Sequence, residues 1–462
     1  YNQPLYVAVK TRQQVAAAGG KVTVDFYLIN EKNVRGNHQL KISVTDSQGK
    51  VMEVGTYETE AAGGEVYGQL LVKDVKIPVP TAGGLCRIEA KLCKENSVVT
   101  TGYDDILSVN LASNMLDGKG AVWEDGSALQ NFLKGKTKEA VAAYEDNLGK
   151  LDWIMVARPP RKDQLTMVPM EALRSADGKP GLDVVYYEDM EFQKEVYHEV
   201  AKVVNLSAIE GATPSPFVYM LDGYGIKWSG KVLPSVSGEY TIIPQSNDRS
   251  MIEVFVNGKK IYEITRKKEH LGDGKVYLEG GKSADIEIRF RHPRSNARCR
   301  LDWAVPNDKM PDAQRLMERA VNDGTKIFII QSADEWSEFI AANSKAVFKD
   351  KFFVGTNWLG GVMFNKPHDI FKELPVGNAL NWPYQALIHT GVERMGLVME
   401  GEELLVGAYH TYPMAIGTAM GIVPMGKGSV LFSTLDIYGN IINDSAAGLV
   451  AKKLIFNMID FK

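Results

Sequence analysis

Sugars bind by laying their apolar CH faces on Trp or Tyr rings while polar side chains fix the hydroxyls. The sequence offers two groups of such aromatics: Tyr186, Tyr187, Tyr224 and Trp228, then Trp358, Trp382 and Tyr384. For Trp358 and Trp382, packing in a core or a domain interface is the plainer alternative, and it stays open. Asn247-Asp248 sets one amide beside one carboxylate. Calcium gathers roughly six to eight hard oxygen ligands, so this pair alone is a thin basis for a site.

Covalent chemistry has less support. The only cysteines are Cys86, Cys93 and Cys299, which leaves the stretches 113–179 and 307–462 without a thiol nucleophile. No Gly-x-Ser-x-Gly occurs, and the seven histidines lack the paired spacing of zinc ligands. His410 follows the run LLVGAY and reads as a loop or interface histidine. VGTNWLGGVMF (354–364) has the outline of a nucleophile elbow, yet neither Asn357 nor Trp358 can attack. In VPMGKGSVLFS the glycines precede a strand, the reverse of a phosphate-binding loop, so Met425 to Gly428 reads as a hairpin turn.

The elements that must position these residues fall into three patterns. Residues 1–112 alternate as antiparallel strands, with Val22, Val24, Phe26 and Leu28 on one face and Leu40, Ile42 and Val44 on another. LDWIMVA (151–157) and KIFII (326–330) are apolar throughout, as in strands covered on both faces. PDAQRLMERAVND carries Ala313, Leu316, Met317 and Ala320 on one helical stripe, and a closing helix runs from Asp444 to Phe461. Strand–helix alternation over 113–179 and 307–462 argues an α/β domain. Between 180 and 306 the period returns to two, with the hairpin signal Asn257-Gly258 and inward Ala284, Ile286, Ile288 and Phe290. One short helix is expected there, near Glu191 to Val203. An all-β module is thus inserted into the α/β domain.

Composition sets outer limits. A chain of 462 residues exceeds one hydrophobic core. The net charge of −4 leaves no footprint for nucleic acid, and no apolar run reaches the roughly 20 residues of a membrane-spanning helix. Cys86 and Cys93 lie an odd step apart, about 23 Å along one strand, and cannot bridge. The chain opens on Tyr1 without a signal-peptide pattern and reads as a piece of something larger.

The inserted stretch resembles the protective-antigen-type (PA14) β-barrel of glycosidases, adhesins and toxins. The resemblance rests on GLDVVYYEDMEF, IKWSGKVLPSVSGEYTI, SNDRSMIEVFVNGKKI, VYLEGGKSADIEIRF and RLDWAVP. It implies that Trp228 and Trp303 are framework core. Many members bind sugars, some through paired aspartates that hold calcium. Here that pair reads Asn247-Asp248, so the implied calcium site is weakened and no cofactor is expected.

The flanking stretches resemble the C-terminal part of glycoside hydrolase family 2 enzymes of the β-galactosidase and β-mannosidase type. YNQPLYVAVKTRQQVAAAGGKVTVDFYLINEK looks like their immunoglobulin-like sandwich. HDIFKELPVGNALNWPYQALI and EELLVGAYHTYPMAIGTAMGIVPMGKGSVLFSTLDI look like their terminal α/β domain, similar to class I amidotransferases. Asn30-Glu31 mimics the family's acid/base signature, but its strand alternates as barrel strands do not, and Glu31 reads as a hairpin connection. A catalytic (β/α)8 barrel needs about 250 residues, more than the α/β stretches hold.

The expected fold is therefore an immunoglobulin-like sandwich (1–112), then an α/β domain without its nucleophile (113–179 and 307–462) interrupted by a PA14-like barrel (180–306). The expected role is an accessory region of a family 2 glycoside hydrolase whose catalytic barrel precedes Tyr1, binding carbohydrate, shaping a substrate entrance or assembling a homo-oligomer. The expected partners are carbohydrate and that catalytic domain, with no nucleic acid and no membrane. The expected location is periplasmic or extracellular. The sugar contacts would come from Asn247, Asp248, Tyr187, Tyr224, Trp358 and Trp382. A free-standing glycan-binding or adhesion protein is the alternative, and an enzyme working through the α/β domain is a third reading.

Overall fold

Alternation of apolar and polar residues builds most of this molecule, which is mainly β-strand in several sheets. A computed structural model describes residues 3–95, 97–111, 115–160, 165–207, 223–246, 249–293, 297–306, 311–354, 361–389, 395–411, 414–441 and 446–461. Two units emerge. The first combines residues 1–114, 365–385 and 443–462; the second combines 115–364 and 386–442.

In the first unit, β1 (Leu5–Thr11), β3 (Lys21–Asn30) and β6 (Gly68–Pro78) form a three-stranded antiparallel sheet. β2 (Val15–Ala17), β4 (Arg35–Thr45), β5 (Val51–Ala62), β7 (Gly84–Lys94) and β8 (Ser97–Val109) form a second sheet, ordered β2-β8-β7-β4-β5. The predicted inward rows from both sheets share one core, in which Phe26, Leu28, Leu40 and Ile88 are fully buried. Cys86 and Cys93 are free and both buried; Cys86 packs in this core, and the β7–β8 register shifts at Leu92/Cys93. The C-terminal helix (Ala446–Asp460) belongs to this unit and buries Val450, Leu454 and Met458.

The second unit opens with β9 (Gly120–Glu124) and β10 (Trp153–Ala157). The barrel strands come next: β11 (Leu182–Tyr187), β12 (Glu195–Ala201), β13 (Tyr224–Val232), β14 (Gly238–Ser246), β15 (Met251–Val256), β16 (Lys259–Ile264), β17 (Lys275–Leu278), β18 (Ala284–His292) and β19 (Arg298–Ala304). The larger barrel sheet runs β12-β11-β13-β18-β15-β16; the smaller contains β19-β14-β17. Trp228 and Trp303 lie in the core between them, as their framework positions imply. Asn257 and Gly258 both take positive φ (48° and 75°), closing a tight turn between β15 and β16. The short helix expected near Glu191 to Val203 is corrected: β12 lies there, paired antiparallel with β11. Glu195, Tyr197, Glu199 and Ala201 alternate with Val196, His198 and Val200, a period-two pattern that β-pairing rewards.

The chain then returns through α1 (Ala313–Asp323), β20 (Lys326–Ile329), α2 (Ala333–Ala342), β21 (Val347–Phe353), β22 (Met395–Glu400), β23 (Glu403–His410), β24 (Ala415–Met425) and β25 (Gly428–Ser433). β9, β10, β20 and β25 lie parallel, and every residue of β10 is buried. β24, β22 and β21 extend the sheet antiparallel, so the layer is mixed. Asp312 caps α1 by accepting the Gln314 N–H, and Gly324 ends it in the left-handed region. Ala313, Leu316, Met317 and Ala320 are buried, as their spacing predicts.

Candidate ligand-binding site

Trp382 heads a single 3-10 turn, Trp382–Tyr384, within the first unit. Pro383 presets the turn's φ, and the Tyr384 N–H donates to the Asn381 carbonyl at 2.9 Å. Beneath the turn, the buried Tyr384 hydroxyl donates to the Pro375 carbonyl at 2.6 Å. The Asn365 amide donates to the same carbonyl at 2.9 Å and to the Tyr384 oxygen at 3.2 Å. Burial pushes the Tyr384 phenol far above its usual range, so it stays a neutral donor. Asn365 also fixes the segment through its backbone, donating to the Asn378 carbonyl and accepting from the Gly377 N–H, both at 3.2 Å.

The C-terminal helix clamps this segment from another side. Lys453 Nζ donates to Glu373 at 2.6 Å and to the Asn110 carbonyl at 3.3 Å. The Asn457 amide donates to the carbonyls of Ile370 and Lys372 at 2.8 and 3.0 Å. Glu373 packs its carboxylate against Gly83, where a Cβ would force the glutamate side chain to shift. A pocket of about 120 Å³ results, lined by Leu85, Asp105, Asn378, Asn381, Trp382 and Tyr384 among others. Its walls supply a half-buried indole, amides and one carboxylate, the combination that stacks a polyol ring and fixes its hydroxyls.

The barrel presents a second concavity on the outer side of β13, β18 and β15. This cleft, about 340 Å³, is lined by Ser229, Gly230, Phe255, Asp285, Glu287 and Arg289, among others. Its polar groups are already engaged. Arg289 donates to Glu287 at 2.5 Å and lies 4.7 Å from the Phe255 ring centre; Lys231 donates to Asp285 at 2.8 Å. One rung along, Glu253 accepts from Lys260 at 2.8 Å and from Arg291 at 2.9 Å.

The sequence-predicted residues are dispersed. Asn247, Asp248 and Trp358 lie outside the described residues. Tyr187 sits half-buried on β11, edge-on to Phe192 at 5.3 Å with Lys227 5.7 Å from its ring. Tyr224 is corrected from an exposed stacking ring to core: it is 1% exposed, because it opens β13 on the inward face beside His292. Of the three that are described, Trp382 lines one of the two cavities above. Asp105, Asn378 and Asn381 were missed, since nothing in their local spacing points to residue 382. Glu124, at the carboxyl end of parallel β9 where α/β ligands commonly sit, accepts from the Leu129 and Gln130 N–H groups and from the Tyr438 hydroxyl. Those donors satisfy it. Among the described residues no group of three or more His, Cys, Asp or Glu is placed to hold a metal ion.

Residues 178–315 match the family model described as PA14 domain, and such a domain is present in the chain. A curated relative, the anti-sigma-I factor RsgI3 of Acetivibrio thermocellus, is 28% identical over 127 residues, 27% of this chain and 19% of that protein. Among solved structures, β-glucosidase from Kluyveromyces marxianus aligns over 49% of this chain and 30% of its own, at 12% identity and TM-score 0.33. The epithelial adhesin 9 A domain from Candida glabrata, in complex with Galβ1-3GlcNAc, aligns over 33% of this chain and 89% of its own, at 13% identity and TM-score 0.23. The chain therefore spans about a fifth of the curated relative it matches and under a third of the β-glucosidase.

Proposed function

We propose that this chain is a carbohydrate-binding accessory region of a glycan-degrading enzyme, of the family 2 glycoside hydrolase kind. The observation that carries the reading is the Trp382 pocket, where an indole on a locked turn faces amides and the Arg87-paired Asp105 carboxylate, with no cation over its ring among the described residues. The PA14 domain at 178–315 accords with it. In this reading the first unit's sandwich is immunoglobulin-like. The mixed sheet is amidotransferase-like without a cysteine nucleophile, and the catalytic barrel, the homo-oligomer and the periplasmic or extracellular setting belong to the parent enzyme.

Calorimetry of the purified chain against β-linked gluco-, galacto-, manno- and xylo-oligosaccharides tests this. One class should bind, and Trp382→Ala should weaken it at least tenfold with an unchanged melting temperature. Silence across the panel, or binding that ignores Trp382→Ala, would end the reading. The parentage has its own test: a coding sequence lacking a (β/α)8 barrel upstream of Tyr1 removes the glycoside hydrolase parent.

A further inference from the structure

Pairing of β7 with β8 sets Arg87 opposite Asp105 and Glu89 opposite Tyr103. Tyr103 and Asp105 are two residues apart on one strand, so both side chains leave the same face, about 7 Å apart along it. Asp105 is already a wall of the Trp382 pocket, as is Leu85, two residues before Arg87 on the neighbouring strand. The Arg87 guanidinium donates to both Asp105 oxygens, at 2.8 and 3.1 Å, and its carbon lies 4.1 Å from the Tyr103 ring centre. Tyr103 nevertheless remains 61% exposed and Leu85 44% exposed. The guanidinium therefore takes one face of the phenol ring and leaves the other to solvent. A carboxylate holds the cation, the cation holds the ring, and the ring stands as a fixed exposed platform continuous with the pocket.

We infer that Tyr103, backed by Arg87, is a second sugar-stacking subsite, so that the ligand is an oligosaccharide spanning at least two rings from Trp382 to Tyr103. This rests on the carbohydrate reading of the Trp382 pocket and specifies its substrate class. The run is one aromatic, a polar pair and a second aromatic, the order in which a linked sugar chain alternates apolar ring faces with hydroxyl edges. No net charge is left over at the pair, because Arg87 and Asp105 neutralise each other, and the ligand is accordingly a neutral glycan.

The test titrates the whole chain and its variants with members one to four rings long from the same four oligosaccharide series. Affinity should rise at least tenfold from the one-ring to the three-ring member of the series that binds. Tyr103→Ala should erase that rise while leaving one-ring affinity and the melting temperature unchanged, and Arg87→Ala should erase part of it. Equal affinity for one and three rings overturns the second subsite and leaves the Trp382 reading intact. So does a Tyr103→Ala variant that weakens both lengths alike. Failure of every sugar to bind the unaltered chain overturns the Trp382 reading itself, and the second subsite with it.

Discussion

The pocket under Trp382 and the cleft over Phe255 contain similar residue types but use them differently. Around Trp382 the stabilising contacts are short hydrogen bonds among Tyr384, Asn365 and Pro375, made below the ring. Around Phe255 they are ion pairs between surface side chains, and Arg289 lies against the aromatic ring itself. A ligand stacking on Phe255 must displace Arg289 or Lys260 from the ring, whereas the ion-paired wall of the Trp382 pocket, Asp105, holds a guanidinium, that of Arg87, which lies against Tyr103. The smaller cavity is thus the better site. Volume ranks them the other way, 340 against 120 Å³, and the proposed reading rests on aromatic surface rather than on space.

The largest break in this comparison comes from the clamp below the pocket. Lys453 is only 7% exposed at its side chain and pairs with Glu373. Lys453→Ala removes a buried cation and both of its bonds but leaves Glu373 partly open to water, which should cost roughly 2 kcal/mol. Chemical denaturation should show the first unit's transition moving down while the barrel's stays in place. Sugar retention should fall with it, because Glu373 belongs to the segment that carries Trp382.

Tyr384→Phe should act more gently. It deletes the donor to Pro375 and leaves the Asn365 amide one acceptor short, a loss of about 1 kcal/mol. The ring and its packing remain, so the pocket keeps its shape but loosens. Affinity for the bound oligosaccharide should drop a fewfold, measured beside Trp382→Ala as the complete loss. An unchanged affinity would mean that the hydrogen-bonded lock does not pre-organise the site.

Much of the framework could be read directly from residue order, because burial repeats every second residue in a half-buried strand and every third or fourth in a helix. The rows Val22 to Leu28 and Ala284 to Phe290, and the stripe Ala313 to Ala320, are buried as their periods require. The hairpin at Asn257-Gly258 follows from two residues that accept positive φ. The site was far less legible. Trp382 could be named from its type, yet Asp105 lies 277 positions away and Lys453 reaches back to Glu373 across 80. Such juxtapositions come from tertiary packing of segments whose own patterns are silent about one another. Tyr224 failed for a related reason: an aromatic at a strand's first residue reads alike whether that residue faces in or out, and its neighbours decide.

The smallest effect separates the two regions by pH. Burial alone would raise the Glu253 carboxyl, but hydrogen bonds and charge from Lys260 and Arg291 bring it below the ordinary glutamate value. A carboxylate lowered on folding contributes stability above its unfolded pKa, about 4.3, and loses that contribution as pH falls through its folded value. The barrel should therefore weaken below about pH 4.3, and protonation should release Lys260 and Arg291 from Glu253. Glu253→Gln should flatten that acid slope while changing stability at neutral pH only modestly, because Lys260 is well exposed and water screens its charge. Thermal unfolding from pH 3 to 7 is the measurement. An acid slope identical in the Gln variant would show that the ion-pair ladder over Phe255 does not stabilise the barrel, and the cleft would then be more open to ligands than its geometry implies.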